Sequence, residues 1–361
     1  MDRAGRRRTG PLPVIYEKRG DVPSALKGTW YMSGLPQIFQ NLARSKGFWI
    51  LCACILLVWL NNTSWPIDRS DRTITLVAHA GLGQTYDLDG VQWNTNTAAR
   101  IHPPEHEYIE NTIPSIQAAF AYGADIVECD VRLTADQQLA VFHDYRLDYR
   151  TNGHGLVSDH TMAELRQLDV GYGYTADQGT TFPFRGKGMG LMVTLEEVLR
   201  TFPDRHFLIH IKDGGTPIGH VLLNFLQTLD TSQIQQISVY GNDTALDLLR
   251  AHYPQMQILS KAKMKAAVVQ YMLLGWTGLI PDAIRGMELH LPLQYAQWLW
   301  GWPDRFLQRM ERVNTRVVLV QYEQGWSKGF NSCAELQRLP PQYTGALWTD
   351  RIDRIGPLLK P

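Results

Sequence analysis

The chain has 361 residues, 44% of them hydrophobic, a length that suits one large barrel or two ordinary domains. Its 35 basic residues balance 35 acidic ones, and no basic stripe runs through the folded part, which excludes the electrostatic footprint of a nucleic-acid binder. Four cysteines, Cys52, Cys54, Cys129 and Cys333, have neither zinc-like nor disulfide-like spacing, so a cysteine-built framework is excluded as well.

The N-terminal part is basic. Arg3, Arg6, Arg7, Arg8, Lys18, Arg19, Lys27, Arg44 and Lys46 face only Asp2, Glu17 and Asp21, and residues 1–46 read as a disordered tail. Phe48 to Leu60 is unbroken apolar sequence inside a charge-free stretch from Gly47 to Ile67. About twenty such residues cross a bilayer as a helix. Lys46 can snorkel at one end while Asn61, Asn62 and Trp65 occupy the other interface. We therefore expect an uncleaved transmembrane anchor over residues 47–67, with a buried core helix as the alternative. The basic flank stays in the cytoplasm, so residues 68–361 are expected on the extracytoplasmic side, the periplasm of a bacterium.

From Ile74 onward, short β-branched runs alternate with helical patterns. The first predicted strand, Ile74 to His79, is followed by a long excursion, residues 82–108. It holds His102, Glu105, His106 and Glu107, read as a polar surface loop or as metal ligands. A helix from Ile113 to Tyr122 has Asn111 or Thr112 as its cap, Pro114 in its first turn and Gly123 beyond its end.

The next predicted strand, Asp125 to Val131, carries the most informative chemistry. Side chains alternate faces on a strand, so Glu128 and Asp130 share one and Cys129 takes the other. Two adjacent carboxylates repel in a low-dielectric site, and a hard divalent cation neutralises them. Ion pairing to nearby Arg or Lys is the alternative reading. The link from Val131 to Leu139 is too short for a crossover helix. The chain must fold back as a hairpin, bringing His143 of Val141-Phe142-His143-Asp144 near the carboxylates as a proton-moving group.

A second excursion spans residues 132–193. Within it, Arg185-Gly186-Lys187-Gly188-Met189-Gly190 offers backbone N–H groups and two cations to a phosphate, or is a flexible loop. A helix begins at Thr194, whose spacing to Glu197 is that of a capping box. Further strands are expected at His206 to Lys212, Gln236 to Tyr240, Gln257 to Lys261, Ile284 to Leu291, Arg316 to Tyr322 and Thr344 to Trp348, with helices at residues 243–252 and 351–360. Alternation places His210 and Lys212 on one face. Lys261, Glu288 with His290, and Gln321 with Glu323 fall at strand ends as pocket-wall candidates, and Trp298, Trp300 and Trp302 read as helix packing, a lid or a membrane-interface contact. Eight strands alternating with helices predict an α/β fold, a (β/α)8 TIM barrel with a hairpin-containing insertion after strand 2, whose chemistry sits at the C-terminal strand ends.

His79-Ala80-Gly81, Glu110-Asn111-Thr112, the run Gly123 to Val131, His143-Asp144, Arg150 to Gly155, Ile211-Lys212 and Trp348-Thr349-Asp350 together resemble the glycerophosphodiester phosphodiesterase family over residues 74–360. The resemblance implies that Glu128 and Asp130 hold one divalent metal ion, Mg or Ca. It further implies that His79 and His143 act as acid and base in an unassigned order, and that Lys212 holds phosphate. Glu110 matches a carboxylate of the same site, either a metal contact or a residue orienting the histidine. Two departures stand out. Ala80 replaces the family's arginine, so the phosphate needs another clamp, for which Lys261, Arg185 and Lys187 are the substrate-binding candidates. His210 replaces a third acidic ligand, which tilts the site toward Zn or Mn.

The expected function is thus a membrane-anchored, metal-dependent phosphodiesterase acting on glycerophosphodiesters or related lipid phosphodiesters and yielding an alcohol and a phosphomonoester. A barrel that only binds a phospholipid head group, or a phospholipase D-like or glycosyl-transferring lipid enzyme, are the alternatives.

Overall fold

The computed structural model describes residues 45–65, 67, 73–341 and 343–360. The predicted tail, apart from its last two residues, lies outside them. The chain divides into two compact units, Met1–Cys54 and Ile55–Pro361.

Within the larger unit, eight parallel strands form a nearly closed barrel, as the alternation of strands and helices predicts. They are β1 (Thr75–Ala78), β2 (Ile126–Leu133), β4 (His206–Ile211), β5 (Ile237–Gly241), β6 (Ile258–Leu259), β7 (Glu288–Pro292), β8 (Arg316–Glu323) and β10 (Ala346–Thr349). The hydrogen-bonded order runs β6-β5-β4-β2-β1-β10-β8-β7. Ile258 N donates to Gly286 O at 3.3 Å where β6 approaches the segment leading into β7. Two short strands stand off the ring: β3 (Leu139–Val141) pairs antiparallel with β2 as the expected hairpin, and β9 (Trp326–Lys328) pairs antiparallel with β8.

Period-two alternation decides what faces where. Val127, Cys129 and Val131 of β2 join the large apolar layer beneath the helices, whereas Ile126 belongs to a separate buried cluster with Leu208, Tyr240, Val318 and Trp348. Glu128 and Asp130 lie on the Ile126 face, toward the barrel interior, and the β2–β4 register sets Asp130 opposite His210.

Helix ends follow local chemistry. Thr112 and Thr194 each close a capping box, on Ile113–Ala121 and Leu195–Thr201, as the sequence spacing predicts for Thr194. Lys261 differs from expectation. Strand β6 stops at Leu259, and Lys261 opens the helix Lys261–Leu274 with Ser260 as its cap. Ser260 competes for backbone N–H groups, which ends a strand and starts a helix.

The apolar run near the N-terminus forms the helix Lys46–Asn62, 17 residues long and without a buried residue. Among the described residues, no helix is long and apolar enough to cross a membrane. In the larger unit, Arg309 Nη1 donates to Asn62 Oδ1 at 3.0 Å and to Gly275 O at 3.0 Å, and its Nη2 donates to Asn61 O at 2.9 Å.

Candidate active site

At the C-terminal ends of β2 and β4, Glu128, Asp130 and His210 bring one ligand atom each to within 4.8 Å of one another. Both carboxylates are fully buried. Each is held by protein donors. Glu128 Oε2 accepts from Ala80 N at 2.9 Å, and its Oε1 accepts from Tyr240 Oη at 2.6 Å. Ala80 adopts φ 52°, a left-handed conformation in a residue with a Cβ, which follows the end of β1 and accompanies the contact of its N–H with the carboxylate. Asn111, also left-handed at φ 60°, holds Asp130 twice: Nδ2 donates to Oδ2 at 2.9 Å, and Oδ1 accepts from Asp130 N at 3.0 Å. His210 Nδ1 lies 2.9 Å from Asp130 Oδ1 and 3.6 Å from Glu128 Oε1, with its ring stacked on Tyr240 at 3.9 Å between centroids. Burial pushes the Asp130 carboxyl up, but Lys212, His143 and His210 together hold it well below the usual carboxylate range.

Two histidine–carboxylate pairs flank this group. His79 Nδ1 lies 2.8 Å from Asp350 Oδ1, while Asp350 Oδ2 accepts from Gly329 N at 2.8 Å and Asn331 Nδ2 at 2.9 Å. Burial alone would lower the His79 pKa. The Asp350 hydrogen bond and the charge of Glu128 outweigh it and raise the group to about 9. His143 Nδ1 lies 2.6 Å from Asp144 Oδ1, and Lys212 Nζ is 3.1 Å from His143 Nε2. Burial, and then the Lys212 charge, push His143 below its ordinary value. His79 and His143 both line a cleft of about 420 Å³, with Ala80, Glu110, Arg150 and Asp350 in its wall.

Arg150 braces the histidine side of the cleft. Its Nε is 2.8 Å from Asp144 Oδ2, its Nη1 is 2.7 Å from Glu110 Oε1, and its Nη2 donates to Thr97 Oγ1 at 2.9 Å. Burial raises the Asp144 carboxyl, yet Arg150 and His143 hold it down to about 2. An Arg150→Met substitution leaves two buried acids without their cation. We expect a loss of about 3 to 5 kcal/mol in denaturant unfolding, and a loss under 1 kcal/mol would show that these pairs carry little of the fold.

The structure brings together His79, His143, Lys212, Glu128, Asp130 and His210. Glu110 stands apart from the three-residue ligand group, ion-paired to Arg150, with its buried Oε2 lacking a hydrogen-bond partner. Lys261 keeps access to solvent, and partial desolvation of its amine, followed by the Lys212 charge, lowers its pKa. Arg185 and Lys187 need correction as phosphate contacts. Gly186 N and Gly188 N donate to the Asp169 carboxylate at 2.5 and 2.9 Å, so the cradle already holds an internal anion. Arg185 packs over the Phe182 and Tyr172 rings, 3.7 and 4.0 Å from their centroids, and neither cation lines the cleft. In the first excursion, Glu105 is bound by Arg351 and Arg354, and His106 by Gln84.

Sequence reasoning missed Asp350, Asp144, Arg150, Asn111 and Tyr240 as positioning groups. Asp144, Arg150, Asn111 and Asp350 all lie in the motifs that carry the resemblance, without a role read from them, and Tyr240 lies outside those motifs. Asp350 lies 271 residues from His79, and only the pairing of β10 with β1 joins them.

A parallel barrel with buried acids, an imidazole and two histidine–carboxylate pairs at the strand C-termini defines a protein of the TIM-barrel class. Residues 103–276 match the Glycerophosphoryl diester phosphodiesterase family. The match covers just under half of the chain. Among its relatives are a putative glycerophosphodiester phosphodiesterase, YhdW, of Bacillus subtilis strain 168, and a glycerophosphodiester phosphodiesterase of the same strain. The first is 40% identical over 112 residues, 30% of this chain and 42% of the relative. The second is 37% identical over 150 residues, 40% of this chain and 48% of the relative. The chain thus spans under half of either. Among solved structures, the glycerophosphodiester phosphodiesterase of Agrobacterium tumefaciens str. C58 aligns with a TM-score of 0.52 and 19% identity, covering 79% of this chain and all of that one. A glycerophosphoryl diester phosphodiesterase domain from Mycobacterium tuberculosis aligns with a TM-score of 0.55 and 16% identity, over 79% of this chain and 99% of that one. At these identities the structural likeness shows the barrel fold.

Proposed function

We propose that this barrel hydrolyses glycerophosphodiesters or related lipid phosphodiesters to an alcohol and a phosphomonoester. The observation that carries the reading is the pairing of two histidine–carboxylate dyads around one buried carboxylate–imidazole group.

The donor set fits a divalent cation. Two buried carboxylates and an imidazole converge, and each carboxylate oxygen keeps a lone pair beyond its protein donor. Glu128, Asp130 and His210 would hold the ion. When bound, it supplies Lewis-acid polarisation of the phosphoryl oxygens. The nitrogen donor favours Mn or Zn over Mg or Ca.

Lys212, with Lys261 beyond it, supplies positive charge to the phosphate in place of the arginine that Ala80 does not provide. Lys212 against Nε2 keeps that nitrogen unprotonated, and as Lys212 turns to the phosphate the freed Nε2 lone pair takes the proton from the attacking water while its oxygen bonds to phosphorus. Asp350 keeps the proton on His79, which passes it to the departing alkoxide as the phosphorus–oxygen bond to the alcohol breaks. Asp144 and Asp350 fix the two ring tautomers.

The charge-free stretch from Gly47 to Ile67, behind a basic flank, supports single-pass anchoring by residues 47–67, a cytoplasmic N-terminus and an extracytoplasmic barrel over residues 68–361.

The test is release of alcohol and phosphomonoester from glycerophosphodiesters and lysophospholipids by the full chain, stripped with chelator and reloaded with single metals. Mn or Zn should restore turnover at lower concentration than Ca, and His210→Glu should reverse that order. Absence of alcohol release with every metal and diester would leave a barrel that only binds.

A further inference from the structure

We propose that the flank of the barrel built by residues 261–303 rests on a lipid bilayer, beside the last turn of the apolar helix. The inference goes beyond the proposed anchor and rests on it for the presence of a membrane.

Nine large side chains among the described residues of this flank face outward. Leu273, Leu279 and Trp298 are 67%, 63% and 67% exposed, and Tyr295, Trp276 and Trp300 are exposed as well. They belong to one linked structure. Trp300 Nε1 donates to Met272 O at 2.9 Å, and Tyr271 Oη donates to Trp300 O at 2.8 Å, tying the two segments together. Trp276 O accepts from Asn61 Nδ2 at 3.2 Å and Asn62 Nδ2 at 2.9 Å. The exposed flank therefore continues into Ile55–Asn62, where Ile55, Leu56, Leu57, Trp59 and Leu60 are also exposed.

Composition names the occupant. Residues 261–281 and 289–303 contain no Asp or Glu, and the exposed Asp282 between them is paired with Arg285. A surface carrying Trp and Tyr, with Asp282 paired to Arg285, suits the lipid headgroup boundary, where amphipathic rings gather. Length argues the same way. A 17-residue helix is ~25 Å long against a hydrocarbon core of ~30 Å. Apolar groups at its C-terminal end relieve that mismatch by sinking the flank into the interface.

Orientation follows. The helix Lys261–Leu274 leaves the C-terminal end of β6 and returns antiparallel to the strands, so Leu273 and Trp276 lie toward the end remote from the catalytic mouth. The mouth then opens to water, and the diester enters from solution.

The full chain, with Cys52, Cys54 and Cys333 changed to Ser, is labelled with an environment-sensitive fluorophore at Leu273→Cys, Trp298→Cys or Glu196→Cys. It is reconstituted into vesicles of phosphatidylcholine and phosphatidylglycerol with or without doxyl-labelled lipid. The Leu273→Cys and Trp298→Cys probes should lose at least half their emission to the doxyl lipid, and the Glu196→Cys probe almost none. Quenching at both flank positions no greater than at Glu196→Cys, in protein that resists alkaline extraction from the vesicles, would overturn the flank contact while the anchor stands. Crosslinking between two copies through Leu273→Cys without lipid quenching would also overturn it, in favour of a dimer. Protein extracted at high pH would remove the anchor and this inference together. Diester hydrolysis, measured separately, reports on the catalytic reading.

Discussion

Replacement of His143 by alanine lowers kcat by about 10²- to 10⁴-fold, the contribution of a positioned general base, and leaves the metal affinity close to that of the unaltered protein. The imidazole touches Lys212 and Asp144 but makes no hydrogen bond to Glu128, Asp130 or His210, so its loss removes proton transfer and spares the ligand group. The pH profile carries the same argument. In the proposed mechanism, turnover requires neutral His143 and protonated His79. It falls on the acid side as His143 gains a proton, at a pH below the ordinary histidine value because burial and Lys212 disfavour the cation. It falls on the alkaline side as pH rises through about 9, where His79 loses the proton that Asp350 helps to hold. Asp350→Asn removes that stabilising charge and moves the alkaline limb to lower pH. An unmoved limb, or full activity in His143→Ala, would end the assignment of these rings as acid and base.

Asp130→Asn is the second large effect. The Asp130 carboxylate is the meeting point of Asn111, His210 and Lys212, and it has no exposure to water. Its neutral isostere keeps the shape and removes the anion that would balance a divalent ion. Metal affinity, read by calorimetric titration of stripped protein, should fall by more than the roughly 10- to 100-fold that loss of an outer partner costs. Asn111→Ala supplies that comparison, since Asn111 touches Asp130 without being a ligand. Equal affinities in the two variants would mean that Asp130 is not a ligand and that the buried acids serve the fold alone.

Much of the barrel was legible because its signals are local. Period-two alternation placed Glu128 and Asp130 on one face, the short link after Val131 forced a hairpin, and Thr194 announced its helix through Glu197. Signals failed where the determining contact is distant or a turn residue is ambiguous. Nothing near Lys261 distinguishes a strand end from a helix start except Ser260. The Arg185 to Gly190 run resembles a phosphate cradle in composition, yet Asp169, 17 residues before Gly186, occupies its N–H groups. Tyr240 looked like an ordinary strand residue until β5 set its hydroxyl against Glu128, 112 positions away.

The pairing of β10 with β1 also governs when the protein acquires its chemistry. Val77 and Ala78 meet Trp348 and Thr349, so the His79–Asp350 dyad unites nearly the first and nearly the last residues of the barrel. During synthesis, an emerging polypeptide holds His79 early but lacks its carboxylate until some 350 residues have been made, and closing so long a span is slow. A nascent or prematurely terminated product therefore lacks this dyad, and the site is complete only when the final strand joins the ring.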